Sequence, residues 1–106
     1  NGAELRAQEL DILRQVATLH KSLGGVVRVV GHASRGRAAG DPAALAASNL
    51  RASIERGTAI ARALTRLGIE ASKIEVEGKG ASELLYAETT PAGELANRRA
   101  VVYLVR

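Results

Sequence analysis

The chain has no cysteine, methionine, tryptophan or phenylalanine, and its only aromatic residues are Tyr86 and Tyr103. Without cysteine there is neither a disulfide nor a thiolate metal site, and cysteine usage does not indicate a redox compartment. The core must be assembled from Leu, Ile, Val and Ala. Proline is almost as scarce, at Pro42 and Pro91 alone. No apolar run approaches the roughly 20 residues that a membrane span needs, and the opening residues do not read as a secretory leader. The net charge of +4 raises the question of nucleic acid, because clustered Lys and Arg release counterions from phosphates. Here the basic residues are spread over every segment and interleaved with Glu, and two tyrosines are too few for a base-stacking platform. The charge reads as solvated faces, and nucleic acid is not expected as a partner.

What is present is enough for one small domain with a two-layer core: 106 residues, of which Leu5, Ile12, Val16, Leu19 and Leu23 recur at helical spacing. That spacing predicts an amphipathic first helix, ended by Gly24 and Gly25. Val26 to Val30 is short, β-branched and bounded by glycines, the pattern of a strand buried on at least one face. Gly31 closes it and opens a loop that holds Arg35, Gly36, Arg37 and Gly40.

Asp41-Pro42 supplies a capping side chain and a proline at the first helical position. One helix from Pro42 to Leu67 would be unusually long, about 39 Å, so a short helical turn near Ala43 to Ala47 followed by a main helix from Asn49 to Leu67 is expected. On the main helix Leu50, Ile54, Gly57, Ala61 and Leu64 form the expected buried stripe, with Gly57 and Ala61 small enough for close approach to a sheet. Gly68 ends it. Further on, Lys73 to Gly78 alternates Ile74 and Val76 with Glu75 and Glu77, a strand with one wet face. Gly78 to Asn97 is polar, with Pro91 and Gly93 as breakers, and Ala100 to Val105 is strand-like again.

The order helix, strand, helix, strand, loop, strand predicts an α/β two-layer sandwich with two main helices packed on one face of a mixed sheet. Three strands give the first helix little to cover. A βαβαββ-type plan whose first strand is absent from this chain is therefore expected, leaving a sheet edge open to a neighbour, including a second copy of the chain.

Three stretches share one spaced pattern: Val-x-Val-x-Gly-His at Val27 to His32; Asn49, Ser53, Arg56, Ile60 and Leu64; and Asn97-Arg98-Arg99-Ala100-Val101. The pattern resembles the OmpA-like C-terminal domain, the module with which many bacterial envelope proteins grip peptidoglycan. The resemblance covers Gly2 to Val105, and Asn1 to Leu5 resembles the tail of the turn that follows the family's first strand. It implies a noncatalytic domain, without a cofactor, that faces the periplasm. The membrane anchor, in the outer or inner membrane, is then expected elsewhere in the full-length protein.

The resemblance also implies a ligand, the diaminopimelate of the peptidoglycan stem peptide, which presents an ammonium and a carboxylate on one stereocentre. Such a group needs an anion for the first and a forked guanidinium for the second. The family's helix arginine corresponds to Arg56 and the arginine before its last strand to Arg98. Its aspartate position holds Ser34, and the threonine before it is Ala33. The cationic half of the site is kept and the anionic half is lost, so weaker or altered binding is expected unless Asp41 reaches back from the loop before Asn49, which is longer than the family's common form. Ser34, Asn49, Arg56, Asn97 and Arg98 are the candidate ligand-binding residues.

Plainer readings stand beside these. Taken alone, Arg56 reads as a solvated helix cation and Asn49 as a helix cap. One of Arg98 and Arg99 reads as half of an ion pair with Glu75 or Glu77. His32 has no second ligand at metal-binding spacing, and Ser34 has no general base beyond His32, so neither a metal site nor an enzyme is expected. Gly31, Gly36 and Gly40 match neither a dinucleotide fingerprint nor a P-loop. The remaining alternative is an assembly module of the same fold that contacts envelope proteins instead of cell wall.

Overall fold

The computed structural model describes residues 5–35, 40–84 and 97–106. Helix α1 (Ala7–Leu23) leads into strand β1 (Val26–Gly31), then helix α2 (Pro42–Arg66), a single 3-10 turn (Ala71–Lys73), strand β2 (Ile74–Gly78) and strand β3 (Ala100–Val105). The sheet order is β2-β1-β3, with β1 parallel to β2 and antiparallel to β3. This is the expected two-layer plan, a mixed sheet beneath two helices. Pro91, Gly93 and Tyr86 lie outside the described residues, as do Asn1 to Glu4 and Gly36 to Ala39. Among the described residues, no helix is long and apolar enough to cross a membrane.

β1 is the centre of the sheet because it is the most β-branched segment, and its inward residues Val27 and Val29 are fully buried. Around them Leu13 from α1, Ile60, Ala63 and Leu64 from α2, and Ile69 close the core, with Ile74, Val102 and Leu104 packed at its margin. On the opposite face of the sheet Arg28 lies across from Glu75 on one side and Tyr103 on the other, and its guanidinium pairs with the Glu77 carboxylate. Glu77 also holds the Lys79 ammonium at 3.1 Å. The expected pairing of Arg98 or Arg99 with Glu75 or Glu77 is therefore replaced: sheet register puts Arg28 next to the acids of β2.

α2 is one helix of 25 residues, not a short turn followed by a main helix. Asp41 caps it, its Oδ2 accepting from Ala44 N at 3.3 Å, and Pro42 takes the first position as expected. The chain stays helical through Ser48 and Asn49 because four alanines between Ala43 and Ala47 favour it locally. Asn49 consequently sits inside the helix and does not cap it.

The buried stripes are also rotated from those expected. On α2 the buried residues are Ser53, Gly57, Ile60, Ala63 and Leu64, while Leu50 and Ile54 are exposed. Ser53 can face inward because its hydroxyl donates to Leu50 O at 2.7 Å and accepts from Gly80 N at 2.9 Å, which leaves no unpaired polar atom there. On α1 only Leu13 is buried, flanked by the partly buried Leu10, Val16 and Ala17. Ile12, Leu19 and Leu23 are 58%, 50% and 42% exposed.

α2 meets the sheet at backbone distance. A Cβ placed on Gly31 would penetrate the carbonyl oxygen of Ser53, and one on Gly57 would lie 2.9 Å from Val76 Cγ1. Gly57 thus permits the close approach expected of it.

Candidate functional site

The loop that leaves β1 is tied down on three sides. His32 N donates to Arg99 O at 2.7 Å, Ala33 N donates to Gly80 O at 2.8 Å, and Gly31 O accepts from Lys79 N at 3.0 Å. These bonds bring the start of β3, the turn after β2 and the end of β1 to one place. α2 presents Asn49, Ser53 and Arg56 toward it, residues at i, i+4 and i+7 that share a helix face. Ser53 takes the amide of Gly80, as described above, and Arg56 Nη1 donates to His32 O at 2.5 Å.

Arg56 is half-buried, and its pKa is lowered by burial and then by the positive charge of Arg98; the carboxylate of Glu9 acts in the opposite sense. Two guanidinium groups from distant parts of the sequence therefore share one electrostatic neighbourhood at the loop. Arg98 itself is exposed. Asn97 is fully buried and Ser34 is 6% exposed. Asn49 is half-buried, and its backbone lies against Gly80, where an added Cβ would come 3.6 Å from its carbonyl carbon. All five candidate residues border the β1 loop, α2 and the start of β3.

The Asp41 carboxylate is engaged as the α2 cap and does not reach back to the loop. The carboxylate that Arg56 does feel is Glu9, in the first turn of α1, where Glu9 Oε1 also accepts from Arg6 N at 3.1 Å. Sequence reasoning passed over Glu9 because it opens a helix on a remote segment, and nothing in its spacing marks it.

Beside this site the buried His32 lies near the half-buried Arg99. His32 is almost wholly enclosed, and burial followed by the Arg99 charge lowers its pKa. Among the described residues its Nδ1 has no hydrogen-bond partner, nor do Nε and Nη1 of Arg99, whose Nη2 donates to Glu83 O at 3.2 Å. Both effects favour the neutral ring. Among the described residues, no group of three or more His, Asp or Glu could hold a metal ion.

Residues 1–100 match the model of the OmpA family, and the chain belongs to that family. A curated relative, Outer membrane protein 40 of Porphyromonas gingivalis (strain ATCC BAA-308 / W83), is 33% identical over 89 residues, 83% of this chain. The chain spans 22% of the length of that relative. Among solved structures it is similar to the OmpA-like domain of FopA1 from Francisella tularensis subsp. tularensis SCHU S4, with a TM-score of 0.76 at 23% identity, covering 98% of this chain and 67% of that one. It is also similar to the peptidoglycan-associated lipoprotein from Burkholderia pseudomallei, with a TM-score of 0.79 at 24% identity over 94% of this chain and 80% of that one. The two-layer arrangement of helices on a mixed sheet is the OmpA-like fold.

Proposed function

We propose that the chain is a noncatalytic recognition module of the bacterial cell envelope that faces the periplasm and takes the carboxylate of diaminopimelate in peptidoglycan stem peptides between Arg56 and Arg98. The observation that carries this reading is the placement of Arg56. Its guanidinium is anchored to His32 O beside the β1 loop and lies close enough to Arg98 for that charge to lower its pKa. An oxyanion entering between them relieves the mutual repulsion and offers each a charge-assisted hydrogen bond. Membership of the OmpA family and likeness in fold to a protein named as peptidoglycan-associated support the same ligand.

Ser34 stands where the family carries an aspartate, so the ligand ammonium loses its anion. A hydrogen bond to a charged group contributes about 1.5–3 kcal/mol, which places the affinity about one to two decades below that of a site with the carboxylate.

The test is a titration of the isotope-labelled chain with a diaminopimelate-containing stem peptide. Amide shifts confined to the surroundings of Ser34, Arg56 and Arg98 are expected, with affinity lost in Arg56→Ala and raised about tenfold to a hundredfold in Ser34→Asp. Silence at all three positions up to millimolar peptide rejects the reading. Silence combined with a response to an envelope protein at the same residues identifies an assembly module instead.

A further inference from the structure

The two edges of the sheet are guarded differently. At the β2 edge the Ile74 N–H is taken by Ala71 O, and Glu75 and Glu77 charge the face away from the helices. β3 has no such guard. Arg99 O accepts from His32 N, and because successive peptide groups alternate between the two sides of a strand, Ala100, Val102 and Leu104 aim their N–H and C=O groups away from β1. Among the described residues nothing pairs with them. Ala100–Val105 also carries neither a charge nor a proline, the devices by which edge strands ordinarily avoid pairing.

α1 runs alongside this open edge. α2 lies over β1 and β2, which leaves α1 on the β3 side, and the C-terminal end of α1 meets the end of β3, where Gly25 lies against Val105 O. Leu10, Leu13 and Ala17 turn to the core, so the right-handed sense of the helix carries Ile12, Leu19 and Leu23 to the flank away from α2, above the edge. All three are exposed. The residues that border this row on its solvent side, Gln8, Gln15 and Ser22, are exposed and uncharged.

A second copy of the chain fits this surface. A two-fold axis sets the same patch against itself, which brings like charges together on a charged patch and does not on this one. Two registers centre strand on strand. With the axis at Val102, Arg98 of one copy faces Arg106 of the other; with the axis at Tyr103, Arg106 faces Ala100, Val101 faces Val105 and Val102 faces Leu104. The second register keeps like charges from standing directly opposite one another. Tyr103 lies about 7 Å before Val105 along β3, a distance spanned by about five residues of helix, so the axis passes close to Leu19 and leaves Ile12 outside the contact.

We propose that the chain forms a two-fold dimer through β3, with its two sheets joined into one of six strands and Leu19 and Leu23 of both α1 helices packed over the seam. Two short strands and two helix flanks bury an area at or below the roughly 1,200–2,000 Å² of a stable complex, so the dimer is reversible and half-formed at about 100 µM. At low micromolar concentration the edge is free. Arg56 takes no part in the contact, and the dimer stands whether or not the cell-wall reading does.

The test follows the labelled chain by sedimentation equilibrium and amide hydrogen exchange from low micromolar to millimolar concentration. A monomer–dimer equilibrium is expected, with exchange at Val102 and Leu104 slowing as the dimer fills. Leu19→Glu and Tyr103→Lys, both at exposed positions that leave the core untouched, should each weaken association at least tenfold. The chain has no cysteine, so Tyr103→Cys introduces a lone thiol at the axis, where opposed Cα atoms about 4.5 Å apart permit a disulfide between copies. Val105→Cys, whose own mate would lie about 13 Å away, should stay unlinked. A monomer up to millimolar concentration, association that leaves exchange at Val102 and Leu104 unchanged, or a dimer indifferent to both Leu19→Glu and Tyr103→Lys overturns the proposal. Protection of Val102 and Leu104 that is independent of protein concentration overturns it as well, and assigns the edge to a segment of the same chain.

Discussion

α2 and α1 both lie over the sheet, yet they are held by different means. α2 touches it through Gly57, over Val76, and through the Ser53 carbonyl over Gly31, so its position is set by main-chain atoms that cannot rotate away. α1 contributes one buried side chain, Leu13, and turns Ile12, Leu19 and Leu23 to solvent. The candidate recognition residues follow this division. Arg56 rides on the helix that is locked, and the neighbouring Ser53 hydroxyl doubles as a peg for the turn at Gly80. Preorganisation of a charged site comes from such close backbone contact more than from the number of apolar residues beneath it.

The most severe way to break the locked seam is Gly31→Ala. The new methyl group has no space beneath Ser53 and neither backbone can yield without losing sheet or helix bonds, so a loss of more than about 3 kcal/mol is expected in denaturant unfolding. Retention of near-native stability would show that α2 can ride higher on the sheet. On the looser side, Leu13→Ala should cost about 2–4 kcal/mol, whereas Ile12→Ala one residue earlier should cost less than about 1 kcal/mol. The pair of unfolding curves sharpens the comparison, since similar costs would mean that the outer stripe of α1 is covered in solution.

The smallest effect is one of pH. Burial and Arg99 lower the pKa of His32 in the folded state, so the unfolded chain binds the proton more readily. Stability is then at its full value above the ordinary histidine pKa of about 6.5 and falls as the pH drops below it toward the lowered folded value. His32→Gln should flatten this dependence in thermal melts across that window. An unchanged slope would assign the acid sensitivity to other groups.

Much of the fold was legible in the residues. β1, β2 and β3 were marked by β-branched runs and alternation, and the end of α1 by its paired glycines, because those signals are local. The length of α2 was not, since Ser48-Asn49 imitates a helix start while Asp41-Pro42 already provides one. The buried faces were misread for a related reason. α1 carries two overlapping apolar stripes, and only tertiary contact selects Leu13 over Ile12. On α2 the inward position at Ser53 is polar, and its acceptability depends on Gly80, which lies 27 residues further along the chain. For the candidate site, the spacing that sets Asn49, Ser53 and Arg56 on one helix face was legible. Glu9 and the enclosure of Asn97 were not, because each depends on the packing of segments far apart in sequence.

The seam between Gly31 and Ser53 also limits how the molecule can respond to a guest. Sliding or lifting of α2 would have to separate two peptide planes that already touch, so the helix and the central strand should travel as a single rigid piece. Extra room for a bulky guest would then come from rotation of the exposed Arg98 side chain about its own torsions, a motion on the nanosecond scale or faster for exposed groups, and not from the slower hinge movements through which many binding proteins close.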